Sequence, residues 1–538
     1  MAPLFGQPGW FSALLRLRGI DTDEKARAFL SPSLDDLHDP LRMHDMEKIV
    51  SMLRKAAADG TKILVWGDYD ADGVCAASIL VETLRAIGAD ADYRLPSRHS
   101  EGYGLNEAGI RDAAGTYGLL ITVDCGISNH AEVALAKELG MAVIVTDHHA
   151  LPPELPAADA VTSPLLDGYP CQHLCGAGVA LKICQALRGM PGILEELDLA
   201  AIATVADVVP LSDENRVIVR EGLNRIAETN RPGLKALMRA AEVEPPVKAD
   251  QLAFRIGPRL NAAGRLEDAA LAAELLQTRD PARGAELAGK LNSLNARRQG
   301  LEKQMTDAAL VQVHTPGIPN PHSLVVAAEG WDPGLIGLTA GRLCQRYHLP
   351  AVALSLQGDE AVGSCRSIPG VHIFEMLGKC ADLLERFGGH EQAAGLSLKR
   401  ERVGAFRARL EQVIRESCDP RCFEPCQEYD LSLPFRTWSP AVLKKLDDLE
   451  PTGCGNPPPV FLLSGVSVQS MRRVGKDMSH LQVTLLDEDT FLKGIGFSMG
   501  AAADTGWSDV DILYRPILNE FRGRTSVEAQ ISALRPHV

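Results

Sequence analysis

No uninterrupted apolar stretch of the chain reaches the length of a membrane span, and its first residues carry no basic, apolar, cleavable signal. A cytoplasmic location without membrane attachment is the resulting expectation. Positive charge is not in excess either: 55 Lys and Arg stand against 70 Asp and Glu, a net charge of -15. That balance does not advertise a nucleic-acid binder, whose basic footprint lowers the cost of approaching phosphates. It does not exclude one, because bound cations and a local basic groove reverse the field near a site. Charged residues make up only 23% and hydrophobic residues 46%, which excludes wholesale disorder. The 12 cysteines are moderate for 538 residues. Cys75 and Cys125 lie beside acidic motifs, as free thiols do in a reducing compartment. Cys418, Cys422 and Cys426, with Cys454 later, match no metal-ligand spacing with a mechanical rationale, and free thiols are the better reading. Cys171 and Cys175 read the same way.

What the chain does have is four acidic or acidic-histidine clusters, each at the end of an apolar run. Ile63–Trp66 leads into Gly67-Asp68-Tyr69-Asp70-Ala71-Asp72-Gly73, and Leu119–Val123 into Asp124. Ala142–Thr146 leads into Asp147-His148-His149, and Ala201–Ala206 into Asp207. Short runs rich in Val and Ile that end in polar residues read as buried strands of a parallel sheet. The fourth fits a helix equally well, which its Ala content favours. Ligands of open parallel sheets bind beyond the carboxyl ends of the strands, where carboxylates can converge. Hard oxygen ligands with an imidazole suit Mn or Mg, and clustered carboxylates invite two ions. Metal-assisted phosphoryl chemistry is the reading.

At this length about three or four domains are expected. Residues 1–60 read as mostly helical, with Asp21-Thr22-Asp23-Glu24 opening a helix that carries Ala26, Ala28, Phe29 and Leu30. Over 61–275 strand-like runs alternate with helical patterns, the mark of stacked βαβ units in an α/β fold. Asp280-Pro281 then offers an N-cap and a proline at the first helical position. Beyond it Leu287, Leu291, Leu294, Leu301, Met305 and Ala308 fall on one face of a connector over 276–316, with Arg297, Arg298 and Lys303 elsewhere on it. It reads as a solvated amphipathic helix or, more sharply, as a spacer between two lobes of a cleft. A second α/β segment over 317–427 has strands near Ser323–Ala328 and Ala351–Leu356. Its Gly388–Gly395 stretch has three glycines, which fit a tight turn or a close backbone approach. From 428 to 538 Leu481, Val483 and Leu485 alternate, as do Val527, Ala529 and Ile531, the period of half-buried strands. Arg472, Arg473, Lys476, Lys493, Arg515, Arg522 and Arg524 are spread among these strands, which fits an OB-type barrel with a basic face. Of its few aromatics, Phe461, Phe491, Phe497, Tyr514 and Phe521, most read as core, so charge is expected to outweigh stacking.

The Gly67–Gly73 run with Asp147-His148-His149 resembles the DHH phosphoesterase superfamily, and within it the RecJ family of single-strand-specific DNA exonucleases. Arg98–Gly104, Arg255–Arg265, Ser364–Ser367, Gly388–Gly395 and Glu450–Pro457 also look like RecJ signatures, in the family's order and over essentially the whole chain. The resemblance implies a parallel-sheet DHH domain, a connector helix, a DHHA1 domain closing a cleft over it, and a C-terminal OB fold. It implies that Asp70, Asp72, Asp124, His148 and Asp207 ligate two Mn2+ or Mg2+ ions, with Asp124 bridging. His149 would contact the scissile phosphate, and Asp68 would orient a ligand from behind. Pyrophosphatase-like relatives have a histidine where this chain has Trp66, so the first ion is expected to have more water around it.

The resemblance further implies 5'-to-3' release of 5'-mononucleotides from single-stranded DNA in recombination and repair. Two ions roughly 3.5–4 Å apart can ionise a water and clamp an in-line displacement, so no serine or cysteine nucleophile is required. Arg98, Arg259, Asn261, Arg265, Ser364 and Arg366 would hold the strand and its 5' phosphate, since guanidinium groups bind phosphate bidentately. His390 would cover the site from the second lobe. Single-strand-binding protein and a RecQ-type helicase are the partners implied, with a monomeric chain. The rivals are a smaller DHH–DHHA1 phosphodiesterase acting on short RNA or cyclic dinucleotides, a manganese pyrophosphatase, and a catalytically dead binding subunit. The terminal module counts against the first two, and the complete carboxylate set against the third.

Overall fold

The computed structural model describes residues 4–98, 100–314, 321–521 and 524–537. Arg522 lies outside the described residues, as do the side chains of Phe521 and Arg524 and the expected boundary at 316 and 317. The first lobe is built on five parallel strands: β1 (Ile63–Trp66), β2 (Ala91–Arg94), β3 (Leu119–Thr122), β4 (Ala142–Thr146) and β5 (Ala160–Thr162), in the order β2-β1-β3-β4-β5. The side chains of each strand alternate between two cores. Ile63, Val65, Leu119 and Ile121 face one side, and Leu64, Trp66, Leu120 and Val143 the other. Helices cover both faces, as a sheet buried on two sides demands.

The fourth apolar run is not a strand. It ends a long helix, Gly176–Ala206, that is interrupted by Gly189 at φ 66 and ψ -159. Its Ala-rich stretch packs beside the buried Ala71–Ala86 helix within one core. Small residues of high helix propensity allow that approach, where a β-branched strand would stand off. Asp207 is its C-cap.

The connector occupies Pro281–Val313, capped by the Asp280 carboxylate, which accepts from Ala282 N–H at 2.9 Å. At 1.5 Å per residue its 33 residues span about 50 Å. Leu287, Leu291 and Leu294 belong to the first lobe's core, whereas Met305 and Ala309 belong to the second's. The helix is therefore a structural member of both lobes. Ala309 is the buried position, four residues after Met305, and the expected Ala308 faces solvent.

The second lobe has a mixed sheet: β6 (Leu324–Glu329), β7 (Ala351–Gln357), β8 (Glu360–Arg366), β9 (Arg386–Gly389) and β10 (Ala393–Lys399), in the order β6-β7-β8-β10-β9. The Gly388–Gly395 stretch is the β9–β10 hairpin, whose Gly389 sits at φ 146 with Ala394 Cα 2.5 Å from where a Cβ would be. The third module has β11 (Leu431–Ser432), β12 (Phe461–Val474), β13 (His480–Asp487), β14 (Thr490–Gly496), β15 (Asp509–Phe521) and β16 (Arg524–Pro536). Pairing of β12 with β15 closes five of them into a barrel, the OB topology. Phe461 and Tyr514 fill its core, while Phe491 and Phe497 are exposed on its surface, Phe497 edge-on to His480 at 5.3 Å.

The N-terminal helices pack against this C-terminal module. Leu4, Phe11, Leu14, Leu15 and Leu30 share a core with Leu449, and Trp10 meets Trp438 edge-on at 5.5 Å. Arg216 is buried at the joint, where it donates to the carbonyls of Phe29, Leu449, Glu450 and Pro451.

Candidate metal centre

After β1 the chain turns through Gly67 and Asp68 into the Ala71–Ala86 helix, whose N-cap is Asp70. The Asp70 carboxylate accepts from the N–H groups of Asp72 and Gly73 at 2.9 and 3.1 Å. Gly73 is required there, because a Cβ would lie 2.5 Å from the Asp68 backbone. Asp72, on the first turn, is buried, and its two oxygens accept from Gly176 and Ala177 N–H at 2.6 and 2.7 Å. A helix N-terminus thus fixes this carboxylate and favours its charge. Asp124 follows β3 at φ 60, a left-handed conformation rare for a non-glycine residue. Only glycine fits opposite it: a Cβ on Gly176 would stand 2.5 Å from the Asp124 Cβ.

These side chains converge with those after β4. His148 Nε2 lies 3.0 Å from Asp124 Oδ1, 3.7 Å from Asp72 Oδ2 and 3.8 Å from Asp207 Oδ2. Ligand atoms of three overlapping trios lie within 4.8 Å of one another: Asp124, His148 and His149; Asp72, His148 and Asp207; Asp68, Asp70 and Asp124. Asp124 belongs to two of them, the placement a shared ligand needs. Asp68 stands in the cluster itself rather than behind it.

Two residues not singled out for a role complete the arrangement. Asp147 accepts from the N–H groups of Ile127, His148 and His149 and from His149 Nδ1 at 2.7 Å. Its adjacency to two histidines was the available signal, since ligand histidines usually lean on a carboxylate. Tyr103 donates to the Asp124 carbonyl at 3.1 Å, with its hydroxyl also 3.1 Å from His149 Nδ1.

The electrostatics describe a site built for cations. Burial and neighbouring carboxylates push the carboxyls of Asp68, Asp72 and Asp124 above the usual range and raise Asp207 to about 8. Burial lowers His148. It opposes the charge of His149 as well, but the Asp147 hydrogen bond and charge outweigh it and raise His149 to about 9. Oδ1 of Asp68 and Oδ1 of Asp124 are buried without a hydrogen-bond partner, the latter despite its closeness to His148. Orphaned carboxylate oxygens aimed into one cluster of hard donors fit divalent ions. Trp66 is fully buried instead, donating from Nε1 to the Gly104 carbonyl at 3.3 Å.

Beside the carboxylates lies a cationic cluster drawn from both lobes. Arg98 stacks on the Tyr69 ring at 4.0 Å, with its Nε buried and unpartnered. Arg265 donates across the cleft to the Gly334 carbonyl at 2.9 Å. Burial, then Arg98 and Arg298, lower Arg265 to about 10. Arg366 bonds Ser364 Oγ at 3.2 Å, and burial lowers its affinity for protons too. Like charges held this close invite an anion. Arg298, from the connector, adds its charge to the cluster while its guanidinium is held by Asn295 at 3.1 Å and Glu302 at 2.9 Å; Arg259 donates from Nε to Asn292 at 3.0 Å. Asn261 accepts from Ala71 N–H at 2.8 Å and so braces the acidic turn. His390 is exposed at the tip of the β9–β10 hairpin. Among the described residues Cys418, Cys422, Cys426 and Cys454 form no trio of ligand atoms.

Comparison with known proteins agrees over most of the chain. The DHH family N-terminal domain matches residues 62–204, the DHHA1 domain 320–416 and the RecJ OB domain 429–533. The single-stranded-DNA-specific exonuclease RecJ of Bacillus subtilis is 38% identical over 529 residues, 97% of this chain and 67% of that protein. RecJ of Escherichia coli is 35% identical over 526 residues, 92% of this chain and 91% of its own. The crystal structure of Thermus thermophilus RecJ with Mn2+ superposes with a TM-score of 0.85 at 34% identity, covering 97% of this chain and 75% of that one. The same protein with Mg2+ gives 0.78 at 32% identity, covering 97% and 74%.

Proposed function

The chain belongs to the RecJ family of single-stranded-DNA-specific exonucleases, and from that premise we propose that it hydrolyses single-stranded DNA from the 5' end, releasing 5'-mononucleotides with two Mn2+ or Mg2+ ions. The observation that carries the reading is the pair of orphaned buried oxygens of Asp68 and Asp124 within overlapping trios of carboxylates and imidazoles, beside an arginine cluster. Asp70, Asp72, Asp124, His148 and Asp207, with Asp68, would hold the ions. When bound, they supply Lewis acidity: a nucleophilic water at neutral pH and relief of phosphoryl charge.

The chain's own groups do the rest. Asp147 fixes the His149 ring, which offers an N–H to the charge developing on the phosphoryl oxygens. Arg98, Arg265 and Arg366 with Ser364 capture a terminal 5' phosphate, and that anchor decides which bond reaches the carboxylates. Asn261 keeps the Asp70–Asp72 turn in place, and His390 covers the cleft from the second lobe. Residues 61–275 and 317–427 form the two catalytic lobes, 276–316 connects them, and 428–538 holds the incoming strand. No helix of the described residues is long and apolar enough to cross a membrane. The reading extends to a monomeric cytoplasmic enzyme of recombination and repair, fed by single-strand-binding protein and a RecQ-type helicase. The closed barrel speaks against a smaller phosphodiesterase of short RNA or cyclic dinucleotides.

The test is digestion with Mn2+ of single-stranded DNA labelled separately at each end, with a duplex control. Early release of labelled mononucleotide from the 5' end with the duplex spared is expected, and its loss in Asp124→Ala at unchanged melting temperature. Release first from the 3' end, or full turnover by that variant, would overturn the proposal.

A further inference from the structure

A glutamate is seldom buried, yet Glu302 of the connector is only 8% exposed. It lies between Leu294, in the first lobe's core, and Met305, in the second's, so it stands where the helix passes from one lobe to the other. Its carboxylate accepts from Arg298 Nη1 at 2.9 Å and from Arg342 Nε at 2.8 Å. Arg298 precedes it by one turn of the connector, and the buried Asn295 accepts from Arg298 Nε at 3.1 Å. Arg342 belongs to the second lobe's Ile336–Tyr347 helix. A buried ion pair adds little net stability over a well-packed apolar pair, so this carboxylate calls for another explanation.

Its surroundings supply one. The Ile336–Tyr347 helix starts against the arginine cluster. The carbonyl of Gly334, just before it, accepts from Arg265. A Cβ on Gly337, in its first turn, would stand 3.0 Å from Ser364 Oγ and 3.1 Å from Arg366 Nη2. Arg342 follows Gly337 by five residues, about 7.5 Å along the helix axis. On the other side Arg298 is close enough to Arg265 to lower its affinity for protons. Glu302 therefore stands behind the pocket assigned to the 5' phosphate, with one arginine on each side of it. A unit charge about 10 Å from an anion in a partly buried site changes its binding about tenfold.

We propose that Glu302 is the counter-charge of the phosphate pocket, weakening the arginines' hold on a terminal phosphate enough for each mononucleotide to leave. This rests on the 5'-exonuclease reading and adds to it what sets turnover. Hydrolysis breaks the bond between phosphorus and the first nucleotide's 3' oxygen. The water's oxygen joins the phosphorus, and a proton ends on the 3' oxygen. The mononucleotide still carries the phosphate that anchored the strand, and the shortened strand carries a new one. The pocket must therefore empty and refill at every step. Arg98, Arg265, Arg298, Arg342 and Arg366 without a counter-charge would retain the product, and product release limits many enzymes.

The test compares the wild-type full chain with Glu302→Gln, Arg342→Gln and the double variant, all with Mn2+. Glutamine keeps the shape of Glu302 and an oxygen for Arg298 but not the charge. Calorimetry measures binding of 5'-dTMP, with 3'-dTMP as the control whose phosphate would face the carboxylates instead. Release of the first nucleotide from 5'-phosphorylated oligothymidylate is followed in single turnover and at steady state. Glu302→Gln is expected to bind 5'-dTMP about tenfold more tightly, with 3'-dTMP little changed. It should keep the single-turnover rate and lose the steady-state rate several-fold. Arg342→Gln should bind 5'-dTMP more weakly, and the double variant, whose net charge is that of the wild type, should return close to wild-type affinity. Unchanged or weaker 5'-dTMP binding by Glu302→Gln, both rates falling together, or no restoration in the double variant would overturn the counter-charge and leave Glu302 a structural brace. If the wild type binds 5'-dTMP and 3'-dTMP alike, or leaves single strands intact, it is the end-pocket reading that fails, and the counter-charge with it.

Discussion

Burial pushes the carboxyls of Asp72, Asp124 and Asp207 upward, and neighbouring carboxylates push them further. Without a cation the cluster binds protons more tightly than the unfolded chain does. Asp207 makes the sign concrete, with a folded value of about 8 against an ordinary 3.8. Its contribution to stability is complete below the unfolded value and is lost as pH rises through the folded one. Metal-free protein should therefore melt at a higher temperature near pH 5.5 than near pH 8.5. Mn2+ should reverse the trend, raising the melting temperature most at high pH, because its ligands must be deprotonated. Thermal melts in EDTA and in Mn2+ across that range decide it. A metal-free melting temperature that climbs with pH would remove the crowded-carboxylate account. The residue scale is also where sequence was most legible. Asp70, Asp72, Asp124, His148 and Asp207 stand out because each follows an apolar run, and they meet in one place. Tyr103 escaped because its partners, Asp124 and His149, lie across the fold, and spacing carries no record of those contacts, whereas the role of Asp147 was signalled by the two histidines that follow it.

Among the elements, the Gly176–Ala206 helix does most to shape the centre. Its first N–H groups hold Asp72, its Gly176 closes on Asp124, and its last turn delivers Asp207. Gly176→Ala would force a Cβ to within 2.5 Å of the Asp124 Cβ, and overpacking of this kind costs about 1–3 kcal/mol. The variant should melt several degrees lower and bind Mn2+ more weakly, by calorimetry, than its stability loss alone accounts for. Gly289→Ala on the connector meets nothing within 4 Å and should be neutral or slightly stabilising. Equal Mn2+ affinity in the two variants would deny the helix start its positioning role. Element type was legible in sequence where the period was strong, as in the β1, β3 and β4 runs and the connector. It was ambiguous at Ala201–Ala206, because Ala-rich buried segments lack a diagnostic period. The π-turn at Leu252–Ile256 was invisible, since one inserted residue leaves no trace in a hydrophobic pattern.

At the scale of the whole molecule the chain closes on itself, with residues 4–30 packed against Leu431, Trp438, Leu446 and Leu449. No periodicity reports which finished faces will mate, so this contact was not legible beforehand. It changes what a truncation means. Ending the chain at 427 removes Leu449 from beneath Leu4, Phe11, Leu14 and Leu15 and Trp438 from Trp10, leaving a bare apolar face. It also strips Arg216 of its bonds to the carbonyls of Leu449, Glu450 and Pro451, and a buried cation losing its acceptors is costly. The 1–427 protein should therefore aggregate or melt early, for reasons unrelated to DNA. Trimming both ends, to 31–427, removes that face together with its cover, and Arg216, which then loses the Phe29 carbonyl and ring as well, is opened to water instead of being left buried. This form should be soluble, still cleave short single strands, and bind long ones more weakly with a shallower salt dependence, since barrel cations no longer displace counterions. Light scattering, melting curves and salt-titrated binding to a long oligonucleotide separate the outcomes. If 1–427 behaves as well as 31–427, the N-terminal helices are an independent appendage. If 31–427 keeps full affinity for long strands, the barrel serves another partner.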